Sequence, residues 1–334
     1  MDAMGGDLAP QATVAGALLA LAELDPAHCI QLVGSTPVVE AQLRTLLDGE
    51  LAAHTAQRDR LTIVEAPDVI EMTDKPSAVV RGKPNSSMAV GLRLQADGQS
   101  DAFVSAGSTG AQMVASMMIL RMHAGLERPA IVTLFPSARK PVAVLDSGAN
   151  VDCGAEELVQ FARLGATYVE CVLGRHNPAV GLLSIGEEPE KGNAVTKEAH
   201  QLLQSAGLNF IGNVEGRDLP AGGTERDAVD VVVCDGFVGN VVLKFYEAIA
   251  PLMIGTLRSA GVSAEQLQAS LKHLDYSEYG GAPLLGVKGV SIISHGKSSP
   301  RAIKNAVKAA AQAVVSRMND QIGARLAAAA EHAA

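Results

Sequence analysis

The 334-residue sequence contains no Trp, and Phe and Tyr bring the aromatic share to only 3%. Stacking platforms for single-stranded nucleic acid and aromatic cages for cations need such rings, so both are poorly supported. Positive charge is also scarce: 27 Lys and Arg stand against 36 Asp and Glu, a net charge of -9. A protein that grips polyanions over a broad face is ordinarily basic, so nucleic acid is not an expected partner and an anionic substrate needs a local site. The four cysteines, Cys29, Cys153, Cys171 and Cys234, form no CxxC pair. Each lies in or near an apolar run, which fits buried free thiols in a reducing cytosol. The start, Met1-Asp2-Ala3-Met4-Gly5-Gly6-Asp7, has neither the basic n-region nor the apolar h-region of a secretory signal. No uninterrupted apolar run reaches the roughly 20 residues that span a bilayer. The expectation is a soluble, cytoplasmic protein.

Several motifs are missing as well. No GxGxxG occurs, so the dinucleotide fingerprint is absent. Gly296-Lys297-Ser298 resembles the end of a P-loop, but the position where that loop needs its first glycine is Ser291. There is no HExxH, no paired His/Cys spacing and no GxSxG, so neither a metal, a cofactor nor a serine nucleophile is expected.

What is present is 48% apolar and 19% charged sequence, enough for a large packed core. Short Val/Ile/Leu runs at 30–34, 61–65, 102–105, 130–135, 142–145, 180–185, 209–212, 229–234 and 290–293 alternate with helical patterns. The helices are expected at 10–24, 36–48, 86–97, 109–122, 154–171, 193–206, 238–257, 263–273 and 300–318. This alternation predicts an α/β fold with a mostly parallel sheet, read as one unit over 1–334 with a helical insertion near 238–285. In that insertion, apolar residues from Val241 to Leu257 cover nearly every face of one helix, with a kink at Pro251. Ordinary core, a subunit interface and a membrane surface are all open readings of it. Ser263 and Gln266 fit a capping box, the Pro283–Val287 stretch reads as an apolar loop, and Ala327–Ala334 reads as a fraying tail.

The polar residues concentrate in turns that follow strands, where α/β sheets bind ligands. Ser105-Ala106-Gly107-Ser108-Thr109-Gly110-Ala111 closes a strand and opens a helix, a place where free N–H groups and the helix dipole favour an anion. Asp146-Ser147-Gly148-Ala149-Asn150 and Asp235-Gly236-Phe237-Val238-Gly239-Asn240 follow two further strands. His295-Gly296-Lys297-Ser298-Ser299-Pro300 follows a fourth, with Ser299 as N-cap and Pro300 at N1. Each is open to a plain reading as a capped turn. Together they predict one rim on which the turns converge. Arg301, Lys304 and Lys308 make a basic stripe on the last helix, either a solvated face or a dock for an acidic partner.

In order along the chain, DAMGGD (2–7), SAGSTGA (105–111), LDSGANVDC (145–153), GLLSIGEE (181–188), KGN (191–193), FIGNVEGRD (210–218), VVVCDGFVGNVVLK (231–244), EYGGAPLLGVKG (278–289) and HGKSS (295–299) strongly resemble the bacterial phosphate acyltransferase family of phospholipid synthesis. The match runs over nearly the whole chain. The resemblance implies an α/β/α sandwich similar to isopropylmalate dehydrogenases and phosphotransacetylases, and a homodimer. It implies transfer of a fatty acyl group from acyl carrier protein to inorganic phosphate, giving acyl phosphate for glycerol-3-phosphate acylation by a membrane acyltransferase. Three positions depart from the family pattern: Ser108 stands for Asn, Ser147 stands for Leu, and the apolar strand that usually precedes DAMGGD is not present, which predicts an unfilled sheet position.

Phosphate is already an anion and a thiolate leaves easily, so such a transfer needs positioning and oxyanion stabilisation more than a catalytic triad. The expected assignment has Gly107, Ser108, Thr109 and Gly110 hold phosphate or the oxyanion. Lys297, Ser298 and Ser299 hold the second anion, and Asp7, Asn150, Asp235 and Asn240 orient these groups. His295 is either the acid for the leaving sulfur or a structural histidine. Arg163, Lys191, Arg301, Lys304 and Lys308 are expected to dock the acidic carrier protein, and peripheral membrane contact fits the apolar insertion. Rival readings are a coenzyme A-dependent phosphotransacylase, a non-catalytic carrier-protein or membrane scaffold, and, from fold likeness alone, a decarboxylating dehydrogenase.

Overall fold

A computed structural model describes residues 1–71, 73–76, 81–263, 266–267 and 280–333. The chain divides into two compact units, each assembled from two stretches of sequence: Met1–His123 with Tyr279–Val315, and Ala124–Glu278 with Ser316–Ala334. Strands and helices alternate in both, as the sequence pattern predicts.

The first unit holds α1 (Gln11–Glu23), β1 (Ile30–Gly34), α2 (Thr36–Asp48), a 3-10 segment Ala52–Arg60, β2 (Leu61–Glu65), α3 (Ser87–Ala96), β3 (Ala102–Ser105), α4 (Thr109–Ile119) and, from the end of the chain, three more elements. These are β10 (Ala282–Leu285), β11 (Val290–Ile293) and α9 (Pro300–Val315). β1 pairs β2 in parallel, β3 pairs β11 in parallel, and β10 joins β11 antiparallel. The sheet position expected to stand empty is held by Met1–Ala3. Asp2 donates its N–H to Val104 O (2.9 Å), and Ala3 and Val33 exchange main-chain bonds with Val33 O and Met1 O (2.9 Å each). Three residues thus tie β1 to β3.

Helix α1 lies against α9. A Cβ on Gly16 would come within 2.5 Å of Ile303, so the absence of a side chain sets how closely the two helices approach. On the exposed edge of the same contact, Glu23 takes Lys304 (2.6 Å) and Lys308 (2.5 Å). Hydrogen bonds from these two ammonium groups hold the Glu23 carboxyl down at about 2.

The second unit holds β4 (Ala130–Ile131), β5 (Thr133–Phe135), β6 (Val142–Leu145), α5 (Ala155–Leu173), β7 (Val180–Leu183), α6 (Ala194–Gln204), β8 (Phe210–Val214), α7 (Asp218–Ala221), β9 (Val231–Val233), α8 (Gly236–Ser259) and α10 (Met318–Ala333). Its five-stranded sheet runs β5-β6-β9-β7-β8, parallel from β6 to β8, with β5 antiparallel at the edge. β6 and β9 are wholly buried Val/Ala/Leu runs, as strands covered on both faces must be. α5 seats on them at Gly165, where a Cβ would meet Leu145 and Val231 at 2.7 Å.

Four expectations need correction. α8 is not core. Only Gly236 and Gly239 of it are buried. Val242, Leu243 and Tyr246 pack on the Phe135 cluster, with Tyr246 edge-on to Phe135 at 4.9 Å, while Phe237, Val241, Phe245, Leu252 and Met253 face solvent. By length and composition this helix is also apolar enough to cross a membrane. Lys244 and Glu247 interrupt the apolar run in sequence but not the helix. The Pro283–Val287 stretch is not a loop: it pairs with β11, and Leu284, Leu285 and Val287 are buried. The tail beyond Ala327 continues α10 to Ala333. Cys29 is exposed, whereas Cys234 is buried. The expected 263–273 helix falls largely outside the described residues. Its reciprocal Ser263–Gln266 cap is present, at 3.1 and 3.2 Å.

Gly16→Val should lower the stability of the folded chain by about 1–3 kcal/mol through overpacking at Ile303, read by chemical denaturation. Because the folded pKa of Glu23 lies below the ordinary value, its contribution is present above pH ~4.5 and lost as pH falls toward ~2. Glu23→Gln should therefore flatten the acid limb of the Tm-against-pH curve, by no more than about 1 kcal/mol for so exposed a group.

Candidate active site

In the first unit, Asp2 is buried and its carboxylate organises the rim. Oδ1 accepts the N–H groups of Met4 and Gly5 (3.0 Å each), and Oδ2 accepts the Ser105 hydroxyl (2.7 Å). Ser105 Oγ in turn accepts the Gly107 N–H (3.0 Å). A side chain on Gly5 would strike Asp2 Oδ2 and stand 2.9 Å from both Gly107 N and Ser105 Oγ. The DAMGGD and SAGSTGA turns are thus locked together, and only glycine fits the contact. The HGKSS turn joins them, because Asp7 donates its N–H to Gly296 O at 2.7 Å.

This cluster stands at the carboxyl ends of β3 and β11 and at the N-termini of α4 and α9. Ser108 caps α4 by accepting the Ala111 N–H (3.4 Å), and Ser299 caps α9 by accepting that of Ala302 (3.3 Å). First-turn N–H groups have no partner within their helix, and the dipole adds partial positive charge. Lys297 and His295 lie exposed beside them, and Ser298 is buried. His295 Nδ1 accepts the Lys297 N–H (3.1 Å). With Nδ1 an acceptor, the neutral ring carries its proton on Nε2. Backbone donors, a lysine and two helix starts suit an anion. Of the predicted first-unit residues, Gly107, Ser108, Thr109, Gly110, Asp7, His295, Lys297, Ser298 and Ser299 all belong to these joined turns. Ser108 and Ser299 spend their hydroxyls on capping, and Asp7 is held through its main chain.

In the second unit a different carboxylate plays the organising part. Asp146 is fully buried and accepts from Ile131 N (3.0 Å), Ala149 N (3.1 Å), Asn150 N (2.6 Å) and Asn150 Nδ2 (3.0 Å). Burial raises its pKa, and these hydrogen bonds oppose the rise. α8 starts directly above this loop: a Cβ on Gly239 would collide with the Asp146 carbonyl, and one on Gly236 with Asn150 O and, at 2.5 Å, Asp146 Oδ2. Asp235 caps α8 through Val238 N (2.8 Å), and Asn240 stands over Gly148. Asn150, predicted to orient substrate, is buried and gives its amide to Pro129 O (2.8 Å) and Asp146. The four turns therefore fall into two groups, one on the carboxyl-end rim of each unit's sheet.

Beside the second group lies a cavity of about 990 Å³. Its walls come from 151–153, Leu158, the end of β7 (Leu182 to Ile185), the start of α6 (Gly192 to Thr196) and Cys234 to Val238. Burial pushes the Cys153 thiol up to about 12, helped by the Asp146, Glu157 and Asp235 carboxylates, and burial raises the Cys234 thiol well above its ordinary value too. Neither is a thiolate nucleophile at neutral pH. Among the described residues, no group of three or more His, Cys, Asp and Glu side chains is placed to hold a metal ion.

The predicted docking cations are scattered. Lys304 and Lys308 both grip Glu23 on α9. Lys191 is exposed on the loop before α6. Arg163 lines a separate groove of about 560 Å³ between α5 and α10. Asp2 and Asp146 were missed as organising groups. The signal for Asp146 was present, an acidic residue directly after a strand and two residues before a glycine; at Asp2 only the glycines at 5 and 6 pointed to a tight turn.

Residues 1–321 match the family described as fatty acid synthesis protein. A phosphate acyltransferase of Desulforamulus reducens is 47% identical over 324 residues, covering 94% of this chain and 92% of that protein. The phosphate acyltransferase of Endomicrobium trichonymphae is 45% identical over 327 residues, covering 93% of this chain and 92% of that protein. Among solved structures, a phosphotransacetylase from Streptococcus pyogenes superposes with a TM-score of 0.62 at 18% identity, covering 92% of each chain. A branched-chain phosphotransacylase from Enterococcus faecalis gives 0.58 at 17%, covering 93% of this chain and 97% of its own. At those identities the likeness is one of fold.

The contacts of α8 predict opposite effects within one helix. Gly239→Ala should cost about 1–3 kcal/mol or more by driving a methyl into the Asp146 carbonyl. Gly255→Ala, where a Cβ meets nothing within 4 Å, should stabilise by up to about 1 kcal/mol. Urea unfolding of the two variants beside the parent reads both signs.

Proposed function

We propose a reaction for this chain from the premise that it belongs to the fatty acid synthesis protein family, among the phosphate acyltransferases: an acyl group passes from the thioester of acyl carrier protein to inorganic phosphate. The observation that supports the site is the joining of the 2–7, 105–110 and 295–299 turns at two helix N-termini beside Lys297. A phosphate oxygen attacks the thioester carbonyl carbon and a tetrahedral oxyanion forms. The carbon–sulfur bond then breaks with its electron pair on sulfur, and the products are acyl phosphate and the carrier thiol.

Each part of the first-unit rim has a task in this reaction. The main-chain donors of Ser108, Thr109 and Gly110 hold phosphate and the developing oxyanion, and the dipole of α9 adds positive charge beside them. Lys297 pairs with the phosphate charge. His295, with its proton on Nε2, donates to the departing sulfur; a thiol needs little more help. Asp2 and Ser105 position the loop and touch no reacting atom. Phosphate is itself an anionic nucleophile near neutral pH, so the transfer is direct, without an acyl-enzyme.

The carrier protein is acidic and docks on the cations of α9, Arg301, Lys304 and Lys308. Glu23 offsets part of that charge on α9. A second copy of the chain covers the exposed stripe of Phe237, Val241, Phe245 and Leu252 on α8, giving a homodimer. The enzyme works in the cytoplasm with peripheral membrane contact, and its product passes to a membrane acyltransferase that acylates glycerol-3-phosphate.

Purified protein incubated with palmitoyl-acyl carrier protein should release free thiol and form hydroxylamine-trappable acyl phosphate, both only when phosphate is present. Thiol release without phosphate would make it a thioesterase. Faster transfer from palmitoyl-coenzyme A would identify the other thioester carrier as substrate. Binding of carrier protein with no release would favour a scaffold. Lys297→Ala should lower kcat/KM for phosphate by about a hundredfold, the scale of one lost anion-stabilising donor.

A further inference from the structure

Between β1 and β3, Met1–Ala3 occupy the rim end of a sheet row. Behind Met1 the same row continues as a cavity of about 470 Å³. That size falls within the roughly 300–1,000 Å³ of ligand sites. Every residue lining it belongs to the first unit. One side is the chain leading into β1, from His28 to Gln31, and the other is the chain leading into β3, from Gln99 to Ala102. Its floor is the apolar face of α9 at Val307, Ala310 and Val314. Cys29, Gln99 and Asp101 on its walls are exposed, so the slot opens to solvent.

The main chain on both sides points into the slot. In a strand, the N–H and C=O of one residue face the same way, and the direction alternates along the chain. The Gln31 C=O accepts from the Met1 ammonium (2.7 Å), and the Val104 C=O accepts the Asp2 N–H (2.9 Å). The N–H groups of Gln31 and Val104 therefore face the same row, as do both main-chain groups of Ala102, two residues before Val104. At Met1–Ala3 a main chain bridges the two edges. In the slot a side chain does so, from Gln31 Nε2 to Gln99 O at 3.3 Å. A row with open strand edges on both sides is a geometry to which an extended chain adds as a new strand.

Charge sets the direction of that strand. The Met1 ammonium is buried at the inner end of the slot, and desolvation lowers its pKa to about 6. Its acidic neighbour Asp2 is already occupied by Met4, Gly5 and Ser105. A carboxylate arriving at Met1 gives this buried cation a partner, whereas an arriving amino end meets like charge. We propose that the slot is a peptide-binding site: it takes the extended carboxyl-terminal segment of a partner protein as an added strand parallel to β1 and β3, with the terminal carboxylate against the Met1 ammonium. The open edges match about four residues at ~3.3 Å each. Uncharged, β-branched side chains suit the apolar floor.

The probe is fluorescein-Gly-Ser-Val-Ile-Val-Ala with a free carboxyl end, followed by fluorescence anisotropy. The native chain should bind it saturably, and phosphate should not displace it. N-methylation of its Ile and second Val removes main-chain donors and keeps the side chains; it should weaken binding about tenfold or more. Amidation of the carboxyl end should weaken it by a similar factor. Ala311 lines the slot from a half-buried position on α9, so Ala311→Trp should block binding with a thermal midpoint near that of the parent. The two peptide modifications keep the test decisive if that variant folds poorly. Absence of saturable binding would overturn the proposal, as would binding indifferent to N-methylation or to amidation. The same four residues might fail in trans yet raise the thermal midpoint when joined directly ahead of Met1, relative to Gly-Ser-Gly-Ser joined there. That result would overturn the partner site and assign the slot to a strand of the same chain.

Discussion

Two carboxylates without water around them hold this molecule's rims in shape. Asp2 in one unit and Asp146 in the other each gather the main-chain amides of a glycine-containing turn. Each also ties that turn to a neighbouring segment, Asp2 through the Ser105 hydroxyl and Asp146 through the Ile131 amide. A buried charge is tolerable only when its lone pairs are filled. That requirement fixes where the turns run, and the turns fix where the helices begin. Once Gly5 is pressed against Asp2 and Gly239 against the Asp146 carbonyl, α4 and α8 have no freedom at their starts.

The arrangement divides labour by charge. The first unit's rim gathers amides, helix N-termini and Lys297, an electropositive place in a chain of net charge -9. The second unit's cavity is mostly apolar, and among the described residues the charged groups on its wall are Asp152 and Asp235. Cysteines near the cavity, the obvious nucleophile candidates by residue type, are kept protonated by burial and by neighbouring acids.

Much of this was legible in the sequence because it rests on local chemistry. Unbroken apolar runs such as Val142–Leu145 and Val231–Val233 announce strands covered on both faces. Ser299 before Pro300 announces a helix start, and Ser263 with Gln266 a capping box. What was not legible depends on partners far away in the chain. β10 passes for a loop because Pro283 and Gly286 are turn residues, and its pairing with β11 makes it a strand. α8 passes for core because its composition is apolar all round, yet only Val242, Leu243 and Tyr246 find a partner. The basic stripe of α9 passes for a free face until Glu23, some 280 residues earlier, closes on Lys304 and Lys308. Ser108, Asn150 and Asp235 have the right chemistry for ligands, but Ser108 and Asp235 cap helices and Asn150 braces the Asp146 loop.

The pairing of α1 with α9 at Gly16 and Ile303 has a consequence for biosynthesis. The two helices belong to one unit but lie nearly 300 residues apart in the chain. The other unit is likewise completed only by residues 316–334. Neither unit can close while the ribosome is still in the middle of the gene. During that interval the nascent chain carries α1 without its cover, along with the apolar α8. A chain built this way carries that apolar surface uncovered through elongation, and a stop codon anywhere before residue 300 leaves both units unfinished instead of sparing one.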